Sequence, residues 1–108
     1  MIVYIDEIVY NVLDEFYDAS MRKHPSLDYQ TVIAKIDRLE KALYDFADYA
    51  EMFHGEPYRR DWREAGYNQY NVEGFNFAYR VYVLPTGEKL LYYHDAVHDS
   101  LNCNPEGK

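Results

Sequence analysis

A single cysteine, Cys103, is all the thiol chemistry this 108-residue chain holds. One thiol makes no intramolecular disulfide, so the fold must stand on a packed core, and the chain suits a reducing compartment. Long apolar runs are missing too: nothing approaches the roughly 20 residues that cross a bilayer. The opening MIVYIDEIVY carries no basic segment of the kind that begins a signal peptide. These features predict a soluble, cytoplasmic protein that does not bind membranes. Internal repeats, low-complexity runs and long linkers are also missing. One domain over residues 1–108 follows, with the Asn-, Pro- and Gly-containing end at 102–108 expected to fray.

Positive charge is scarce. Lys and Arg number 11 against 19 Asp and Glu, a net charge of -8. The deficit lies in residues 1–56, with five basic against twelve acidic side chains; residues 57–108 hold six against seven. A protein that grips phosphates without regard to sequence shows the opposite balance.

Tyrosine is abundant, with 13 in 108 residues. Its ring buries apolar area while its hydroxyl keeps a polar partner. That suits both a small core padded with amphipathic rings and a Tyr-rich contact surface, and composition leaves both open.

Two helices are expected first. After MIVYI, which reads as a short strand or a first helical turn, Asp6 and Glu7 favour a helix start. Ile8, Val9, Val12, Leu13, Phe16 and Tyr17 then form an apolar stripe. Arg22, Lys23 and His24 suit the helix end, and Pro25 stops it. Ser26 and Asp28 are both candidate N-caps for a second helix. Its stripe runs through Val32, Ile36, Leu39, Leu43, Phe46, Ala47, Ala50 and Phe53 to Gly55 and Pro57. Asp37 and Lys41 are spaced to pair on its wet side. Asp45, Asp48 and Glu51 gather near its C-terminal end, as a solvated face or a docking face for a basic partner.

From Tyr67 the period becomes two. Asn68 to Val72 alternates, Glu73-Gly74 turns, and Phe75, Phe77, Tyr79, Val81 and Val83 share one face of a strand. Asn76, Ala78, Arg80 and Tyr82 share the other. Pro85-Thr86-Gly87-Glu88 closes a hairpin into LLYYHDAV. The expected class is α+β: a helical hairpin, with or without a leading strand, packed on a C-terminal antiparallel sheet of three to four strands.

His94 and His98 stand four apart. On a helix that spacing grips a metal ion; on a strand the two would sit roughly 13 Å apart. HDAVHD continues the strand from Leu90 without a helix-start signal, so strand is the expectation over a short helix for residues 94–100. Neither a metal site nor a cofactor is expected.

The order of elements, with GFNFAYRVYV and LLYYHDAVHDSL in the second half, resembles the RelE/ParE superfamily of small bacterial toxins, also labelled plasmid-stabilisation proteins. Tyr79-Arg80-Val81 and Val97-His98 match that family's aromatic-Tyr-Arg-Val strand and its last strand ending in a histidine. The resemblance implies a strand, a helical hairpin and a curved sheet. In the ribonuclease branch it implies ribosome-dependent mRNA cleavage, with His98 in proton transfer and Arg80 stabilising charge. The chain departs from that branch where it matters. Asn76 stands where a basic residue is expected, Asp99 and Ser100 follow His98 in place of arginines, and the sheet half is neutral.

Three functions stay open. The first in rank is a toxin-like protein that acts through protein contacts and is neutralised by an antitoxin. Its contact candidates are Arg59, Arg60, Trp62 and Arg63 in YRRDWREAGY, because Arg with Trp is the composition of interface hot spots. The plainer reading of that segment makes Trp62 a plug on the core, with the arginines paired to Asp61 and Glu64. The second function is the mRNA endonuclease, with RNA as partner. The third is an inactive toxin fold, or an unrelated α+β domain that forms a homodimer.

Overall fold

The structure, a computed structural model, describes residues 1–57 and 59–99. The end at 102–108, expected to fray, lies outside the described residues. The elements run β1 (Ile2–Ile5), α1 (Glu7–Lys23), α2 (Tyr29–Asp45), a 3-10 turn (Phe46–Asp48), a short α3 (Arg60–Glu64), β2 (Asn68–Val72), β3 (Phe75–Val83) and β4 (Lys89–His98). The class is α+β, and the leading strand is real.

Local chemistry sets the helix starts. Asp6 caps α1 by accepting from Ile8 N at 2.9 Å, and Asp28 caps α2 by accepting from Thr31 N at 2.8 Å. Asp28, rather than Ser26, is therefore the cap of α2. The buried stripe of α1 is Val9, Leu13 and Tyr17; Ile8, expected beside them, is 51 % exposed. Ile8 lies in the first turn, rotated away from the sheet, so the burial stripe begins one residue later.

α2 stops at Asp45, well before Gly55. A 3-10 turn tightens the chain there, and the Phe46 ring swings onto Tyr70 of β2, with centroids 3.8 Å apart and planes 8° from parallel. Burying that ring outweighs continuing a helix whose end carries acids against its own dipole. Phe53, expected in the core, is 40 % exposed. Lys41 pairs with Asp45 at 2.8 Å and not with Asp37.

The sheet order is β1-β4-β3-β2. β2, β3 and β4 pair antiparallel, as alternation and turns predicted. β1 lies parallel to β4, with Ile2 beside Leu90 and Ile5 beside Tyr93. The sheet is therefore mixed and not purely antiparallel. The helical hairpin returns the chain across the sheet between β1 and the last strands, which permits the parallel pairing. Glu73 and Gly74 both take positive φ, 50° and 83°, the geometry of a two-residue hairpin turn.

On the inner face, Phe75, Phe77, Tyr79, Leu91 and Tyr93 are buried against Val9, Leu13, Leu39 and Leu43 of the helices. Many of the tyrosines belong to this core. Tyr93 donates its hydroxyl to the Leu43 carbonyl at 2.6 Å, and Tyr79 donates to Ala50 and Phe53 carbonyls at 3.3 and 3.2 Å. Burial pushes the Tyr79 hydroxyl pKa up to about 12. The outer face holds a surprise: Asn76 is 2 % exposed, and Ala78 is fully buried. Trp62 of α3 is itself 2 % exposed, and its Nε1 donates to Asp95 on β4 at 3.2 Å. Through Asp95, whose strand partner is Ala78, the α3 segment thus lies against part of the sheet face opposite the helices.

Candidate functional site

β4 is a strand through His98, and one irregularity within it decides where its histidines point. Ala78 pairs with Asp95, whereas the next residue, Tyr79, pairs with Tyr93, so His94 is left without a partner as a bulge residue. An extra residue inverts the alternation beyond it. His94 and His98, four apart, therefore face opposite sides of the sheet.

His94 joins the outer face. Its Nε2 lies 2.9 Å from the Tyr82 hydroxyl, and its ring stacks on Tyr92 at 4.1 Å and on Tyr67 at 4.4 Å. Arg80 shares this face, its guanidinium 5.3 Å above the Tyr82 ring. Tyr92 donates to Asp6 at 2.6 Å, which ties the cluster to the N-terminus of α1. That hydrogen bond, with the one from Ile8 N, holds the Asp6 carboxyl below its ordinary range.

His98 lies on the inner face. It stacks on Phe16 of α1 at 3.9 Å and meets Phe75 edge-on at 4.7 Å. It lines a groove of about 390 Å³ between α1 and the end of β4, together with Val12, Glu15, Phe16, Lys23 and Arg59. The structure thus joins His98 to Arg59, two residues that the sequence assigned to separate tasks, and parts His98 from Arg80.

The other contact candidates sort themselves by burial. Trp62 is 2 % exposed in the fold, so its ring is packed against the domain. Burying the chain's one indole removes a large apolar area from water. Arg59 pairs with Asp61 at 2.9 Å and lies 5.2 Å over the Trp62 ring. Arg63 donates to the Pro57 carbonyl at 2.9 Å, and Arg60 is exposed. Asn76, where the resemblance expects a base, accepts from Gln69 Nε2 at 3.3 Å and donates to Asp99 at 2.7 Å. Among the described residues, Gln69 Oε1 is buried without a hydrogen-bond partner. The Asn76 position is a buried amide that ties β2 to the end of β4.

Sequence reasoning missed Lys23, Glu15 and Phe16 as neighbours of His98, because the contact crosses most of the chain. It also missed the Tyr67–Tyr92–His94 stack. The shared parity of Arg80 and Tyr82 was a usable signal for the outer face, but the bulge that brings in His94 has no sequence mark.

Burial depresses the pKa of both histidines, against the opposing pull of nearby carboxylates. Neutral imidazole is therefore favoured in the fold, and on acidification the unfolded chain takes up protons first. This contribution to stability is full above the ordinary histidine value of about 6.5 and is lost as pH falls through it toward the lowered folded values. The melting temperature is expected to fall from pH 7.5 to 5.5, and to fall less in a His94→Gln/His98→Gln variant. Parallel declines in a dye-based thermal melt would contradict it.

Among the described residues, no three His, Cys, Asp or Glu side chains gather as a metal site, and no helix is long and apolar enough to cross a membrane. In comparisons with known proteins, no family model and no curated protein matches the chain.

Proposed function

We propose that this chain is a toxin-like protein of the RelE/ParE kind that acts by holding another protein, and that an antitoxin neutralises it by covering the same contacts. The observation that carries the reading is the separation of His98 from Arg80. Phosphodiester cleavage needs a proton-transfer group and a charge-stabilising cation around one phosphate. These two lie on opposite faces of the sheet, one stacked on Phe16 and the other over Tyr82. Contact function is supported by what is exposed instead: Tyr29, Tyr44, Tyr49 and Met52 stand in solvent along and after α2, on the acidic half of the chain. Exposed large apolar side chains that cluster mark interaction surfaces, and Tyr44, Tyr49 and Met52 fall within one short stretch of chain.

The test is induction in bacterial cells without any neighbouring gene. Growth arrest is expected, with transcripts intact, and His98→Gln and Arg80→Gln are expected to arrest growth as the parent does. Cleaved transcripts that vanish with His98→Gln would replace this reading with the endonuclease. A folded, soluble protein that leaves growth untouched would remove the toxin reading for that host.

A further inference from the structure

We propose that the groove between α1 and α2 is a docking site for a basic amphipathic helix supplied by a partner protein. The inference rests on the contact reading and gives it a partner of defined chemistry. The groove measures about 430 Å³. Among the described residues, its acidic lining is Asp14, Glu15 and Asp18, all from α1, and neither lysine nor arginine lines it. Its apolar residues include Met21 of α1 and, across from it, Tyr29 and Ile33 of α2, which are 66 % and 38 % exposed. Tyr29 and Ile33 are one turn apart, so they form a continuous apolar ridge on α2.

A furrow between two antiparallel helices takes a third helix by seating its side-chain ridges. α1 has 17 residues and so spans about 25 Å, the length of a four- to five-turn helix. Charge then selects the occupant. Asp18 is bonded to Arg22, but Asp14 and Glu15 add to a half-chain with twelve acids and five bases. That field repels an acidic helix, a nucleic acid, an anionic lipid surface and the same face of a second copy, and it draws in lysine and arginine. A helix with an apolar stripe at i, i+3, i+4 and i+7, flanked by basic residues, satisfies floor and rim together.

Three 18-residue peptides test it by fluorescence anisotropy on the full chain at 0.15 M salt. One carries Leu at that spacing with Lys elsewhere, the second the same Leu pattern with Glu, and the third the first composition scrambled. Only the first is expected to bind. Ile33→Lys, with Ile33→Gln as a milder second variant, is expected to weaken it about tenfold. A Asp14→Lys/Glu15→Lys/Asp18→Lys variant is expected to exchange the preference, taking the Glu peptide instead. Glu56→Lys/Glu64→Lys/Glu88→Lys makes the same charge change at exposed positions away from the groove and is expected to stay within about threefold of the parent. Binding of the scrambled peptide as tight as the first, equal loss in both triple variants, or no binding of the first peptide would overturn the proposal. Growth arrest is read separately. Arrest without peptide binding sinks the groove and leaves the contact reading, while peptide binding without arrest does the reverse.

Discussion

Trp62→Ala is expected to destabilise the protein by about 3–5 kcal/mol, the usual range for a buried tryptophan. The residue is 2 % exposed and lies against β4 at Asp95, whose strand partner is the buried Ala78. Its removal leaves a cavity where a large buried side chain stood. It also takes the indole donor from Asp95. A domain of this size has about 5–15 kcal/mol in all, so the variant is expected to be partly unfolded near 37 °C. Trp62→Phe separates the two effects. It keeps most of the buried area, loses the hydrogen bond, and is expected to cost about 1–2 kcal/mol. Urea melts of the three proteins decide. A loss below 1 kcal/mol for Trp62→Ala would mean that α3 does not pack on the sheet.

Gly55→Ala is expected to cost about 2–3 kcal/mol, a large penalty for one methyl group. A Cβ at Gly55 would lie 2.1 Å from the Gln69 carbonyl oxygen and 2.5 Å from the Phe53 ring. The ring can turn, but the carbonyl belongs to β2 and cannot retreat cheaply. Gly55 O also accepts from Gln69 N at 2.7 Å, so the two backbones are clamped at this point. Any shift that relieves the clash strains that bond and disturbs the chain leading to α3. Gly87→Ala is the control. Nothing lies within 4 Å of a Cβ there, and its cost arises only from the positive φ of 91°, about 1 kcal/mol. The same melts should rank Gly55→Ala well below Gly87→Ala in stability. The reverse order would place Gly55 in open space.

Legibility of the fold followed the range of the forces involved. The helix start at Asp6 and Glu7, the Glu73-Gly74 turn, the alternation of Phe75, Phe77 and Tyr79, and the strand through His98 all depend on neighbours a few residues away. Each could be read directly. The cap of α2 was legible only as Ser26 or Asp28. The length of α2 could not. Its apolar period runs on to Phe53, but the chain leaves the helix at Phe46 because that ring finds Tyr70 on a distant strand. The candidate site was legible residue by residue and not as an arrangement. His98, Arg80, Arg59 and Trp62 were all visible as chemistry, yet which of them meet depends on one bulge and one buried indole.

Sequence by itself therefore determined the α+β class, the helix starts, the hairpin turns, the inner face of β3 and the acidic first half. These rest on local hydrogen bonding, steric limits and composition. Tertiary structure alone decided that β1 runs parallel to β4, that His94 and His98 face opposite sides, and that Trp62 lies buried against β4. Those outcomes weigh contacts between segments far apart in the chain, and such a contact has an energy only once the fold has brought its partners together.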